Sequence, residues 1–253
     1  VTIRELLDPA EVAAACGDDD LLVWVAQGLR GGARAWTLAT GRGSAVVAAA
    51  PGVSRRDRLG MWGDAACAVP LVRHVLAEMG PSYRPFGERE LVREVAARLP
   101  GVRPAGRFSW MSLSGAAQER APAAVAGEVG WLAKDADAQV AALLAAEAPD
   151  SYAVPGLPGV SRWAGANVAG ELAAVAAEAW SAPTVGLLAG VATRARFRGR
   201  GLAERVCRWV TGELLAAYGR AALMVDDENA AAITVYERIG YRRRLVMASH
   251  VTA

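Results

Sequence analysis

An apolar run, VGLLAGVAT at 185–193, enters the Arg/Gly-rich segment RARFRGRG, which opens at once into an amphipathic stretch. That order, strand to glycine loop to helix, constrains the chain more than any other feature. Gly199 and Gly201 let the backbone turn sharply and approach a ligand. The first N–H groups of the following helix have no intrahelical partner, and the helix dipole favours negative charge beside them. Such a joint is a ready place for a phosphate or pyrophosphate. Arg196, Arg198 and Arg200 bring positive charge to the same loop. Behind it Leu202, Val206, Val210 and Leu214 recur at helical spacing, which predicts a helix over 201–218. An ordinary strand–turn–helix joint could carry the same glycines; the fully apolar strand before and the amphipathic helix after favour the phosphate site.

The rest of the chain must be large enough to support such a site. At 253 residues, 53% apolar and 21% charged, it can bury a real core as one large or two small domains. The basic residues are almost all arginine, Lys134 being the only lysine, and no dense basic run points to nucleic acid. Cys16, Cys67 and Cys207 are few and far apart, and His74 and His250 are the only histidines, so no metal site or disulfide framework is expected. No apolar run reaches the ~20 residues that span a bilayer. A cytoplasmic protein with no membrane partner is expected, either a monomer or a homodimer.

Two halves follow from the element pattern, 1–122 and 123–253, with the small, Pro-containing segment 114–127 as linker. In the first half a helix is predicted over Arg4–Ala15. Strands follow at 21–28, 33–40 and 44–50, separated by Gly-rich turns, with a short one at 59–62. Helices at 65–79 and 88–99 alternate with strands near 83–86 and 108–114. The second half restarts the plan: strand 128–133, helix 134–148, strands 161–169 and 171–180 flanking Gly170 as a hairpin, strand 185–193, the loop, helix 201–218, strand 222–227, helix 230–239 and strand 242–251. Each half thus reads as helix, antiparallel strands, helix, strand, helix, strand. No residue-level repeat accompanies that order, and the first half lacks any Arg-x-x-Gly-x-Gly loop.

RFRGRGLA, followed some way on by ENAAAITVYERIGY, resembles the GNAT superfamily of acyl-CoA-dependent N-acyltransferases, nearest its FR47-like group. The resemblance covers about residues 128–251 and rests on the loop, Asn229, Tyr236 and Gly240-Tyr241 in the family's order. It implies an α+β fold: a mixed, mostly antiparallel sheet flanked by helices in the C-terminal half. More weakly, it implies a degenerate GNAT-like α/β domain before it, covering the acceptor side of the cleft. It implies acetyl-CoA as acyl donor. Its pantetheine would pair with the strand at Val191, Ala192 and Thr193. The amides from Arg198 through Gly199, Arg200, Gly201 and Leu202 to Ala203 would hold its pyrophosphate.

Two further residues have alternatives. Asn229 is a good helix N-cap, and in the resembling family an Asn here also contacts pantetheine; both roles can coexist. Tyr236 shares a helix face with Ile233 and Ile239. It is either a core tyrosine or the acid that protonates the departing CoA thiolate. Some members of the family carry a glutamate at the start of the strand before the loop; Val185-Gly186-Leu187 has none. Glu178 on the neighbouring strand is the first substitute for a general base, with Asp226, Asp227 and Glu228 or a water chain as alternatives. The expected reaction is direct attack of a primary amine, on a small molecule or peptide, on the thioester, with a backbone N–H near Val191 holding the oxyanion. A non-catalytic acyl-CoA-binding regulator is the competing reading, and a tandem GNAT enzyme with an unusual acceptor is a third.

Overall fold

The computed structural model describes residues 2–29, 31–115 and 129–252. Two compact units divide it: Val1–Trp110 together with Arg244–Ala253, and Met111–Arg243. The boundary expected near residue 122, and the linker segment from 116 onward, lie outside the described residues.

In the first unit strand β1 (Ile3–Leu6) pairs antiparallel with β2 (Arg34–Thr40), which continues through β3 (Gly43–Val53) to β4 (Arg56–Gly63). β4 then pairs in parallel with β5 (Arg84–Glu88), and helix α3 (Ala65–Met79) makes the crossover. Helix α4 (Arg89–Arg98) leads into β6 (Val102–Ser114). The chain's last strand, β12 (Arg242–Val251), lies beside β5, with Val246 opposite Glu88. Arg244 holds it there, its guanidinium bonded to the carboxylates of Asp19 and Asp20. Val47, Leu59, Leu71, Val72, Val92 and Val95 form the buried core between sheet and helices.

Two expectations fail here for local reasons. The helix expected over Arg4–Ala15 begins only at Pro9, as α1 (Pro9–Ala15), because Asp8 caps it by accepting from the Ala10 amide at 2.8 Å and Pro9 suits a first helical position. Residues before the cap are free to pair as β1. The strand expected at 21–28 is helix α2 (Asp20–Val25). Asp19 caps it at the Leu22 amide, 2.9 Å, and Leu21, Leu22, Trp24 and Val25 are buried at helical spacing. A short apolar run does not distinguish the two conformations by itself, and the aspartates before it decide.

The second unit is a mixed sheet of mostly antiparallel strands. β7 (Val129–Trp131), β8 (Val160–Val168), β9 (Glu171–Ala179) and β10 (Gly186–Thr193) are antiparallel neighbours in that order. β10 pairs in parallel with β11 (Arg220–Asp226), and the end of β6 lies beyond it. Helix α5 (Asp137–Glu147) follows a single 3-10 turn at Lys134–Ala136. Helix α6 (Leu202–Tyr218) crosses from β10 to β11, and α7 (Ala230–Ile239) follows β11. The hairpin at Gly170 is a two-residue turn in which Ala169 and Gly170 both have positive φ, the geometry that matches strand twist. α6 stops at Gly219, a left-handed C-cap where a side chain would be strained. Leu202, Val206, Val210 and Leu214 are buried against Leu188, Leu223 and Ile233, as the helical spacing requires.

Candidate functional site

Two irregularities interrupt the ladders of β10 in the second unit. β10 and β11 pair only over Gly186–Leu188 and Ala221–Leu223, although β10 runs on to Thr193 and β11 to Asp226. Beyond Leu188 the ladder between them ends. On the other edge of β10 the register also slips: Ala189 faces Ala177, but Ala192 faces Val175. One extra residue is therefore taken up by β10, with Gly190 at φ +60. A bulge of this kind leaves backbone groups without ladder partners and re-aims the strand. Residues 186–188 are buried, whereas 189–191 are half-buried, so the chain becomes accessible where both ladders fail.

After Thr193 the loop is pinned at several points. The Arg194 amide donates to Ala173 O at 2.9 Å and its Nε to Leu172 O at 2.9 Å. Arg196 pairs with Glu171, which raises the arginine and holds the carboxyl below its ordinary range, chiefly through their hydrogen bond. Glu147, the last residue of α5, accepts from the Ala195 amide at 2.9 Å and from the Arg198 guanidinium at 2.7 Å. One carboxylate thus fixes both ends of the 3-10 turn Ala195–Phe197. Of the three loop arginines, Arg200 alone has no carboxylate partner among the described residues; its guanidinium stands 5.4 Å from the Phe197 ring.

Gly201 is the N-cap of α6 at φ +73, with no side-chain cap, and Gly199 has φ +75. A Cβ at either glycine would meet nothing within 4 Å, so the space above them is open. Among the described residues nothing accepts a hydrogen bond from the amides of Gly199, Arg200, Gly201, Leu202 or Ala203. The hydroxyl of Thr193, at the end of β10, is likewise buried without a partner. Val191 and Ala192 sit within and just after the bulge. The loop residues expected to bind a phosphate are therefore brought together at one helix N-terminus.

Asn229 caps α7, its side chain accepting from the Ala232 amide at 3.1 Å, so the capping role is realised. Tyr236 is buried on the inner face of α7 with Ile233 and Ile239, its ring edge-on to Tyr241 at 6.0 Å. Burial pushes its phenol well above the ordinary value, helped by Cys207 and Tyr241 nearby. Cys207 is pushed up to about 12 by burial, which leaves it a small inert core residue.

Glu178 lies on β9, the strand beside β10. It faces Leu188 across the β9–β10 ladder, where the β10–β11 pairing closes, and is 3% exposed. Its carboxylate already accepts from Arg162 Nε at 2.9 Å and from the Tyr218 hydroxyl at 2.5 Å. Tyr218 ends α6, about 24 Å along the axis from Leu202 at ~1.5 Å per residue. The Arg162 guanidinium in turn stacks 3.8 Å from the Trp131 ring centroid. Asp226 is exposed at the end of β11, Asp227 pairs with Arg243 at 3.2 Å, and Glu228 is exposed.

The sequence pattern did not single out Glu147, Glu171, Arg162 or Tyr218, which hold the loop and the sheet. Each acts on a residue 16 or more positions away, so no local spacing announces it.

A parallel pair that splays around a bulged strand, with a glycine loop feeding the crossover helix, is a recognisable arrangement. Residues 166–249 match the model of the FR47-like protein family. That match covers about a third of the chain. The fold is shared with solved GNAT structures. A GCN5-related N-acetyltransferase from Kribbella flavida is 18% identical over 86% of this chain and 89% of its own, with a TM-score of 0.55. Another from Sphaerobacter thermophilus is 16% identical over 99% of this chain and 95% of its own, at 0.51. A GNAT-family acetyltransferase from Colwellia psychrerythraea is 12% identical over 99% and 100%, at 0.52. No curated protein matches the sequence. Among the described residues no group of side chains could hold a metal ion, and no helix is long and apolar enough to cross a membrane.

Proposed function

We propose that this protein is an acyl-CoA-dependent N-acetyltransferase that passes an acetyl group to a primary amine by direct attack. The observation that carries it is the row of unpaired amides from Gly199 to Ala203 under open space, beside the unpaired Arg200. A diphosphate satisfies those donors, and the dipole of α6 favours its charge. The buried, unpartnered Thr193 hydroxyl and the edge of β10 at Val191 and Ala192, where the β11 ladder has ended, suit the polar pantetheine arm. Bound acetyl-CoA supplies an activated acyl carbon and a thiolate leaving group.

The chain's own residues have defined tasks. A backbone N–H at the bulge, near Val191, polarises the acyl carbonyl without reorganising. Tyr236 keeps its proton throughout the physiological range, because burial raises its phenol. A thiolate with an ordinary value near ~8.5 is the weaker base, so Tyr236 acts mainly as a hydrogen-bond donor to the developing negative charge. Glu178 is closed by two donors and holds the C-terminal end of α6 on the sheet; the amine's proton then leaves through water. The first unit keeps the same element order without the loop, and we assign it a GNAT-like, non-binding role.

Calorimetric titration with acetyl-CoA, followed by a thiol-release screen over small amines and peptide N-termini, tests this. Saturable binding at one site per chain and release with at least one amine are expected. Absence of binding by a folded protein overturns the enzyme; binding with no release from any amine makes it an acyl-CoA-binding protein instead.

A further inference from the structure

The bulge in β10 has a neighbour that the acetyltransferase reading does not use. A Cβ on Gly190 would lie 2.5 Å from Cη2 and 2.8 Å from Cζ3 of Trp163, and 3.2 Å from the Ala153 Cβ. The tip of the indole therefore already fills the space beside the bulge, and the glycine is required both for its φ of +60 and for that close approach. Trp163 reaches it from β8, two strands away; the small residues Ala177 and Ala189 stand between them in register. Trp163 is 4% exposed and Ala153 is fully buried.

The indole N–H is buried and, among the described residues, has no acceptor. An unmet buried donor is destabilising, a penalty a phenylalanine would not carry. What the indole adds over a phenyl ring is reach, and that reach ends on Gly190. The wall it builds is an aromatic edge, a methyl group and a glycine Cα, with no charge. Such a wall suits a hydrocarbon group and not an ammonium. Trp163 and Ala153 are themselves buried, whereas an acceptor amine must arrive from solvent.

Resting on the acyltransferase reading above, we propose that Trp163 sets the length of the acyl chain that the module accepts, admitting acetyl and propionyl groups and excluding longer ones. A rigid indole cannot fold away as a long aliphatic side chain could. Forcing extra methylenes into a filled space typically costs about 1–3 kcal/mol, which is roughly 5- to 150-fold in affinity.

The test is the dissociation constant of acetyl-, propionyl-, butyryl- and hexanoyl-CoA, measured by calorimetry on the wild type, Trp163→Ala and Trp163→Phe, with circular dichroism to confirm folding. The expected hexanoyl-to-acetyl ratio is about 10 or more in the wild type and about 3 or less in Trp163→Ala. Trp163→Phe is expected to move the cut-off by one or two carbons, and it carries the test alone if the alanine variant does not fold. An unchanged ratio in a folded variant that still binds acetyl-CoA overturns the proposal and leaves the acyltransferase standing. A wild type that binds no CoA ester overturns both.

Discussion

Each unit contains a helix that crosses from one strand of a parallel pair to the other, and the two helices begin in opposite ways. α3 starts directly off its strand: β4 ends at Gly63, Asp64 is the cap and Ala65 is helical. The Asp64 carboxylate accepts from the Ser44 amide at 3.0 Å and so is tied to the neighbouring strand at the helix start. α6 is separated from β10 by residues 194–201 and begins at a glycine with unpaired amides. The strands differ to match. The β3–β4 register runs unbroken from Ala45–Gly63 to Ala50–Arg58, and the α2 residue Val25 packs within 3.0 Å of where a Gly60 Cβ would be. The β9–β10 register is broken by the bulge. The same element order thus yields a filled joint with a fixed negative charge in one unit and an open joint with free donors in the other. Topology supplies the place for a ligand; the loop and the bulge decide whether there is room and charge for one.

The sharpest way to break this contrast is to remove the group at the reacting end. Tyr236→Phe is expected to lower kcat by about 100-fold or more, with the acetyl-CoA dissociation constant changed less than about threefold. The corresponding helix of the first unit, Arg89–Arg98, contains no tyrosine. Steady-state kinetics with calorimetry check the split, and an unaffected rate would return Tyr236 to a purely packing role.

Making α6 begin as α3 does is the next test. Gly201→Asp puts a carboxylate at the helix start in a conformation that Asp tolerates, and should weaken acetyl-CoA binding by about 100-fold, or ~2.7 kcal/mol. The reciprocal change, Asp64→Gly, should leave the stoichiometry at one site per chain, because the first unit still lacks the loop. Two sites after that change would contradict the account of the first unit.

Smaller effects separate the arginines. Arg200→Ala should weaken binding about 5- to 10-fold and flatten its dependence on salt, since that side chain has no carboxylate to answer to. Arg196→Ala, already paired with Glu171, should change affinity less than about twofold. Equal losses at the two positions would show that loop charge in general, and not the spare cation, matters.

The smallest expected change is in pH dependence. Burial raises Tyr236 and Cys207 above their unfolded values, so the native state holds their protons more tightly. Their contribution to stability is complete below about pH 8, where the unfolded thiol begins to ionise, and is lost progressively as pH rises toward the folded values. Melting temperature should therefore fall above about pH 8, and less steeply in Cys207→Ala than in the wild type once each is referred to its own value at pH 7. The reaction rate should show no loss from phenol ionisation up to about pH 10.

Local chemistry alone determined much of this protein. The helix at 65–79, the helix at 230–239 with its Asn229 cap, the hairpin at Gly170 and the strand–loop–helix at 185–218 were all legible, because each depends on residues a few positions apart. The sequence by itself also led to the GNAT superfamily. Tertiary structure decided the rest. It turned 20–25 into a helix, brought Arg244–Ala253 back to the first unit, seated Trp163 on Gly190 and closed Glu178 with Arg162 and Tyr218. It also chose which loop arginine stays free, by placing Glu147 and Glu171 beside two of the three. The physical reason is the same in every case: caps and turns are satisfied by near neighbours in the chain, whereas burial, charge pairing and room for a ligand depend on partners that only packing brings together.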